Sequence, residues 1–240
     1  MSPDLSTRAA GASELMDDPG ADRAMLEKTY RRFRLVNAAV SRPGLIYRRD
    51  IRPRARAGRI RVLDVGSGGG DLCRLLAAAL SRDGLVADIT ALDADDRATR
   101  WAAAHDRGAG VRYRSALTSD LVREGERYDV IVSNHLLHHL DGTEFRGLLA
   151  DSRRLVDEGG IVLHQDIERS RAAYLLFAAA TWPFAGNLLA GSFIRNDGLT
   201  SIRRSYTAAE LAAAAPPGWR VRRGIPSRLE LRWDGDDARP

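Results

Sequence analysis

An α/β domain built on a parallel sheet with helices on both faces is what this sequence predicts, and three observations predict it. Short aliphatic runs alternate with amphipathic helical stretches between Arg59 and His164. The first of these runs ends in the cluster Gly66-Ser67-Gly68-Gly69-Gly70, directly ahead of a helical pattern. At 240 residues, 44% hydrophobic and 29% charged, the chain has apolar mass for one such domain and a small cap.

Taken in order, residues 1–20 mix Ser, Gly, Asp, Pro and Ala without periodicity and predict a loose tail. From Met25 to Val40, the residues Leu26, Tyr30, Phe33, Val36, Asn37 and Val40 share one helical face, so residues 21–56 read as an N-terminal helical cap. Pro43-Gly44 ends that helix, and a second short one fits Leu45 to Ile51. The main domain, 57–240, then opens with a strand over Arg59 to Val65 and a helix over Asp71 to Leu80. Strand Leu85 to Leu92, helix Asp95 to Arg107, strand Val111 to Arg114 and strand Tyr128 to Ser133 follow. A helix from Thr143 to Val156, closed by Gly159-Gly160, leads to a strand over Ile161 to His164. Thr207 to Ala215 is helical in pattern, and Arg220 to Arg223 and Arg228 to Trp233 predict two closing strands. Strand–helix alternation implies crossover connections, and these give parallel pairing.

The net charge of +5 invites a nucleic-acid reading, but Lys28 is the only lysine among 37 basic residues and the arginines are scattered. Dispersed charge predicts a solvated surface rather than a phosphate track. Cys73 stands alone among Leu72, Leu75 and Leu76, which excludes an internal disulfide and predicts a buried, inert thiol. Asp4, Glu14, Asp17 and Asp18 with no apolar segment between them do not make a secretory leader, so a cytoplasmic protein is expected. Residues 172–194 carry no charge, yet Pro183, Gly186 and Asn187 interrupt them. They are expected to form part of a substrate cap over 171–205 rather than a membrane span.

The chemistry-bearing run is Asp64-Val65-Gly66-Ser67-Gly68-Gly69-Gly70-Asp71. Glycines between strand and helix let the backbone turn sharply and approach a ligand. A dinucleotide fingerprint would place its third glycine at position 71, where Asp71 stands, and a pyrophosphate would be repelled by Asp64 and Asp71. Asp93 closes the second strand one helix and one strand later, at the distance from which a carboxylate reaches ribose hydroxyls.

With these motifs the chain resembles class I S-adenosylmethionine-dependent methyltransferases, and most of all the small-molecule branch that includes quinone-biosynthesis methyltransferases. Asp64 to Gly70 is similar to that family's acidic glycine loop and Asp93 to its ribose-binding acid. Tyr128 to Asn134 followed by Leu137-His138-His139-Leu140 is similar to its fourth-strand motif. The resemblance implies a Rossmann-like, mostly parallel, seven-stranded sheet whose last strand is antiparallel, and S-adenosyl-L-methionine as cofactor. It assigns cofactor contacts to Asp64, Gly66, Ser67, Gly68, Gly70, Asp93, Ala94, Ser115, Ala116 and Asn134. Ser115-Ala116 departs from the Asp-Ala pair that the family usually sets against adenine.

For the reaction itself, His138 and His139 follow the fourth strand, where an imidazole suits deprotonation of a phenol or enol, with His139 slightly preferred. His164, Gln165 and Asp166 end the fifth strand at the same sheet edge. Tyr174, Phe177, Trp182, Phe184 and Phe193 are expected to wall an apolar acceptor chamber, with Arg195, Arg203, Arg204 and Tyr206 at its mouth. The expected acceptor is a small aromatic, polyketide-like or quinone-like molecule taking its methyl on O or C. No metal and no nucleic acid are expected, and a homodimer is compatible with the class. Rival readings are a nucleic-acid methyltransferase, disfavoured by Ser133-Asn134-His135-Leu136 in place of Asn/Asp-Pro-Pro-Tyr, and a non-catalytic cofactor-binding scaffold.

Overall fold

The computed structural model describes residues 3–40 and 42–235, with side chains outside 34–40. After α1 (Arg23–Val40) come α2 (Pro43–Ile46), a π turn at Tyr47–Ile51 and α3 (Arg52–Ala57). Thus the short helix predicted over Leu45 to Ile51 is divided between α2 and the π turn, with α3 beyond it, and Val36, Asn37 and Val40 of the predicted α1 face lie outside the described side chains. The alternating core runs β1 (Ile60–Val65), α4 (Asp71–Arg82), β2 (Ala87–Asp93), α5 (Asp96–Ala104), β3 (Arg112–Ser115), α6 (Thr118–Arg123), β4 (Tyr128–Asn134), α7 (Gly142–Leu155) and β5 (Val156–Ile167). The cap contributes α8 (Arg171–Thr181) and α9 (Ile194–Arg204). The chain then closes with α10 (Ala208–Ala214), β6 (Arg220–Gly224) and β7 (Arg228–Asp234).

The seven strands lie in the order β3-β2-β1-β4-β5-β7-β6. Pairing is parallel from β3 to β5, while β7 runs antiparallel to both β5 and β6. That is the mostly parallel, seven-stranded sheet expected from the sequence. Strand alternation divides the core between the two faces. Val62, Ile89, Val130 and Leu163 pack with Leu72, Cys73 and Leu76 of α4 on one side. On the other, Leu63, Leu92, Ile131 and Val162 pack with Phe145 and Leu149 of α7 and Leu121 of α6. Cys73 is fully buried, as read from its neighbours, and burial pushes its thiol well above the usual range. Among the described residues no helix is long and apolar enough to cross a membrane.

Three expectations change. The helix before β5 stops at Leu155, and β5 absorbs Gly159-Gly160 instead of following them. Helix α6, only six residues long, has no counterpart in the periodicity. Residues 3–20 are also no loose tail. They form a strap across the carboxyl edge of the sheet, with a short 3₁₀ turn at Leu15–Asp17. The Asp197 carboxylate accepts the Leu15 and Met16 amides at 2.8 and 3.0 Å. The Arg8 guanidinium donates to the carbonyls of His138, Leu140 and Arg204 at 3.1, 3.0 and 2.6 Å. Polar and charged strap residues find buried partners made elsewhere in the chain, a pairing that periodicity does not record.

Candidate active site

A cavity of about 620 Å³ opens where β1, β2 and β4 end, under the strap and α1 and beside α8 and α9. Gly66, Ser67, Gly68, Asp64, Asp93, Ala94, Ala116 and Asn134 line it, as the sequence leads one to expect. Gly66 and Gly68 both have φ in the left-handed region, at +68° and +51°. A Cβ on Gly66 would come within 2.8 Å of Leu136, whereas one on Gly68 would meet nothing within 4 Å. Gly66 is therefore required by packing, and Gly68 leaves room for a ligand against its backbone. Gly70 and Ser115 do not line the cavity: Gly70 lies against Tyr113 and Ala102 behind the loop, and Ser115 is exposed.

Asp93 is fixed by its own turn. One carboxylate oxygen accepts the Gly68 amide at 2.7 Å and the other the Asp95 amide at 2.8 Å. Both oxygens keep acceptor capacity on the cavity side. Burial raises its pKa, against the two amides that favour the anion. Asp64 is 2% exposed and takes a hydrogen bond from the Cys73 thiol at 3.3 Å. Burial pushes its carboxyl up to about 7. Asp64, Asp93, Asp95, Glu14, Asp17 and Asp197 all face the cavity, and among the described residues no Lys or Arg does. In a chain of net charge +5, the cavity is the acidic place. Such a lining suits a cationic sulfonium and ammonium ligand and opposes a pyrophosphate. The residues present therefore fit S-adenosylmethionine.

At the other end, the loop after β4 turns through a 3₁₀ segment, Leu137–His139, and carries two imidazoles to the cavity wall. His138 is fully buried; its backbone amide and its Nδ1 both reach the Asp166 carboxylate, at 2.9 and 2.8 Å. Burial opposes charge on this ring, but Asp166 and Glu14 outweigh it, and its pKa is pushed up to about 9. Asp166 is held well below the usual carboxylate range, since the His138 charge overcomes its burial. His139 is part-exposed, with Nδ1 3.0 Å from Asp17. Glu14, His138 and His139 each offer a ligand atom within 4.8 Å of the others, a grouping able to take a cation. His164 is not at the cavity: it is buried against Ser133 and Trp219, and burial lowers its pKa to about 3.

Of the predicted acceptor residues, Phe177 lines the cavity, and Tyr174, Trp182, Arg195 and Tyr206 do not. Trp182 is 72% exposed and Phe184 is exposed as well. Phe193 packs with Leu26 and Tyr30 under α1. Arg195 caps the end of α8, donating to Thr181 Oγ1 at 2.8 Å and the Ala178 carbonyl. Tyr206 is stacked under Arg8 and accepts its hydrogen bond at 3.0 Å. Clustering of aromatics in sequence signalled an apolar chamber, but only Phe177 on α8 lines the cavity; Trp182 and Phe184 lie in the turn after that helix, and Phe193 is taken up by the packing under α1. Glu14, Met16, Asp17, Tyr30, Phe33 and Ser201 line the cavity without having been singled out.

A parallel sheet with one antiparallel strand, an acidic glycine loop and an acid closing the second strand define the class I methyltransferases. Residues 29–215 match the family model described as a methyltransferase domain, and the chain belongs to that family, whose methyl donor is S-adenosylmethionine. A ubiquinone biosynthesis O-methyltransferase of Sinorhizobium medicae (strain WSM419) is 29% identical over 177 residues, 71% of this chain and 66% of the relative. One of Rhizobium etli (strain CIAT 652) is 31% identical over 131 residues, 53% and 49% of the two chains. The chain thus spans about half to two thirds of the length of these curated relatives. The fold is similar to that of the plantazolicin methyltransferase BpumL, crystallised with a triazolic desmethylPZN analog and SAH. That likeness has a TM-score of 0.58 at 12% identity over 91% of this chain and 92% of the other. The mitomycin 7-O-methyltransferase MmcR aligns with a TM-score of 0.50 at 20% identity, over 72% and 48%.

Proposed function

We propose that this chain transfers a methyl group from S-adenosylmethionine to an oxygen or carbon of a small phenolic or enolic acceptor, aromatic, polyketide-like or quinone-like. The observation that carries the reading is the continuous acidic cavity, with the glycine loop and Asp93 at one end and two imidazoles at the other. When bound, S-adenosylmethionine supplies an electrophilic methyl group. Asp93 would accept the ribose hydroxyls, Asp64 would face the cationic end of the cofactor, and Ala116 would border its base. Asn134 completes this wall, where its Oδ1 already accepts from Arg228 at 2.7 Å.

Alignment in a desolvated site is the main requirement of methyl transfer, and a base is needed where the acceptor must lose a proton. His139 would serve that task. Its ring is part-exposed on the cavity wall, with Asp17 at Nδ1 and Glu14 at Nε2, whereas the His138 ring is fully buried. Phe177, Phe33 and Ile194 would hold an apolar ring or chain. The ubiquinone-pathway names of the relatives agree with an acceptor of this type. A nucleic-acid substrate is disfavoured by the acidic lining, since phosphates and carboxylates repel.

Calorimetric titration with S-adenosylhomocysteine should give micromolar binding, and titration with NAD should give no heat. Turnover with labelled methyl donor against a panel of phenols, catechols and enols then tests the acceptor class. Absence of binding by both S-adenosylmethionine and its demethylated product would overturn the reading.

A further inference from the structure

Glu14 comes from the strap, far in sequence from His138 and His139, yet it is 3% exposed and lines the cavity. Its carboxylate lies between the two imidazoles. Oε1 is 3.3 Å from His138 Nε2, and Oε2 is 3.7 Å from His139 Nε2. Ser201 of α9 donates to Oε1 at 2.9 Å, and Arg204 stands 3.7 Å away. Each ring is already held at its Nδ1 by another carboxylate, Asp166 for His138 and Asp17 for His139. Among the described residues His138 Nε2 has no hydrogen-bond partner, so its approach to Glu14 is electrostatic rather than well aligned.

We infer that Glu14 is a positioning residue for methyl transfer, its carboxylate setting the orientation of the His138 and His139 rings at the acceptor end of the cavity. The inference rests on the methyl-transfer reading above. A carboxylate removed from water is costly unless paired, so its burial here requires the imidazoles and Arg204 around it. In return, a ring with a carboxylate at each nitrogen is held electrostatically against reorientation, and a base displaced by an ångström loses much of its effect. The strap is not free to leave this arrangement casually. Asp197 holds the amides of Leu15 and Met16, and Arg97 donates to the carbonyls of Met16 and Asp18 at 3.2 and 2.9 Å. Glu14 is thus presented by a segment docked on both sides of it. The groups facing His138 are Asp166 from β5, Glu14 from the strap and the neighbouring His135 and His139.

The test is Glu14→Gln in the full-length protein, which keeps shape and an acceptor for Ser201 while removing the charge. Turnover of a phenol accepted by the wild type should fall about tenfold or more, with acceptor KM and S-adenosylhomocysteine affinity within about twofold. In histidine-labelled protein, the His138 and His139 ring resonances should shift from their wild-type positions in Glu14→Gln, as rings released from the carboxylate reorient. Ser201→Ala, which frees the carboxylate without neutralising it, should lower kcat about threefold. It carries the kinetic arm if Glu14→Gln does not fold. Unmoved ring resonances in folded Glu14→Gln, or wild-type kcat in both variants, would overturn the inference. Failure of the wild type to methylate any acceptor counts against the proposed function instead, because the ring resonances still report on Glu14.

Discussion

At the proposed cofactor end of the cavity the two acids, Asp64 and Asp93, come from two consecutive strand-to-helix turns, residues 64–71 and 92–95. At the acceptor end Glu14, Tyr30, His138, Phe177 and Asp197 arrive from five separate segments. The first end is built by backbone geometry: positive-φ glycines and amides that fix Asp93. The second is built by packing and paired charge. A substitution at the cofactor end should therefore act on one ligand contact, while one at the acceptor end should propagate through neighbours.

The largest effect should follow His139→Gln. Turnover is expected to drop about 10²–10⁴-fold with cofactor affinity unchanged, because general-base help is lost and nothing at the glycine loop moves. A loss of cofactor affinity of similar size would show that the two ends are not separable. Next, Asp93→Ala should weaken S-adenosylhomocysteine binding by about 2–4 kcal/mol through two lost hydroxyl contacts, leaving the fold intact. Calorimetry on a variant with wild-type melting behaviour decides it; unchanged affinity would make Asp93 only a turn residue.

Phe177 and Gly198 sharpen the contrast from the acceptor side. A Cβ on Gly198 would overlap the Phe177 ring, and both residues line the cavity, so Gly198→Ala adds bulk there while Phe177→Ala removes it. Ratios of kcat/KM for bulky over small phenols should move in opposite directions, by about tenfold each. Movement in the same direction would mean that the ring does not set the size limit.

These two ends also differ in what could be read from the chain. Asp64, Gly66, Gly68 and Asp93 were legible as cavity residues because each belongs to a strand-to-helix turn whose signal is local. Glu14 was not, since in isolation it is an acidic residue in a polar segment, and only Asp197, Ser201 and the imidazoles make it a buried one. Trp182 misled for the converse reason. Large aromatics are usually buried, and nothing local announces one that points to solvent. The sheet was legible from strand–helix alternation, and the antiparallel β7 from family resemblance alone.

A smaller effect concerns pH. Burial holds the Asp64 carboxyl at about 7, above its ordinary 3.8. This raised group favours the ligand-free fold at low pH, and that contribution is lost as pH climbs through about 7. The anion formed over the same range attracts a cation, so S-adenosylmethionine should bind several-fold more tightly at pH 8 than at pH 6. Asp64→Asn should flatten that dependence, and a wild-type slope in this variant would assign it to another group. Smallest of all, Trp182→Ser should alter stability by no more than about 0.5 kcal/mol, given its exposure. A larger loss in chemical denaturation would place the turn after α8 within the core after all.

The strap has a consequence for the order in which the protein is made. Leu15 and Met16 leave the ribosome well before their anchor, Asp197 on α9, and Arg8 well before Arg204, whose carbonyl it grips. The strap is therefore made before the partners on which it docks. A nascent chain ending before α9 already holds the glycine loop and Asp93 but lacks the residues that pin the strap. Docking of the strap is thus tied to synthesis of α9, and ribosome-bound chains stalled on either side of α9 should differ in protease access to residues 3–20.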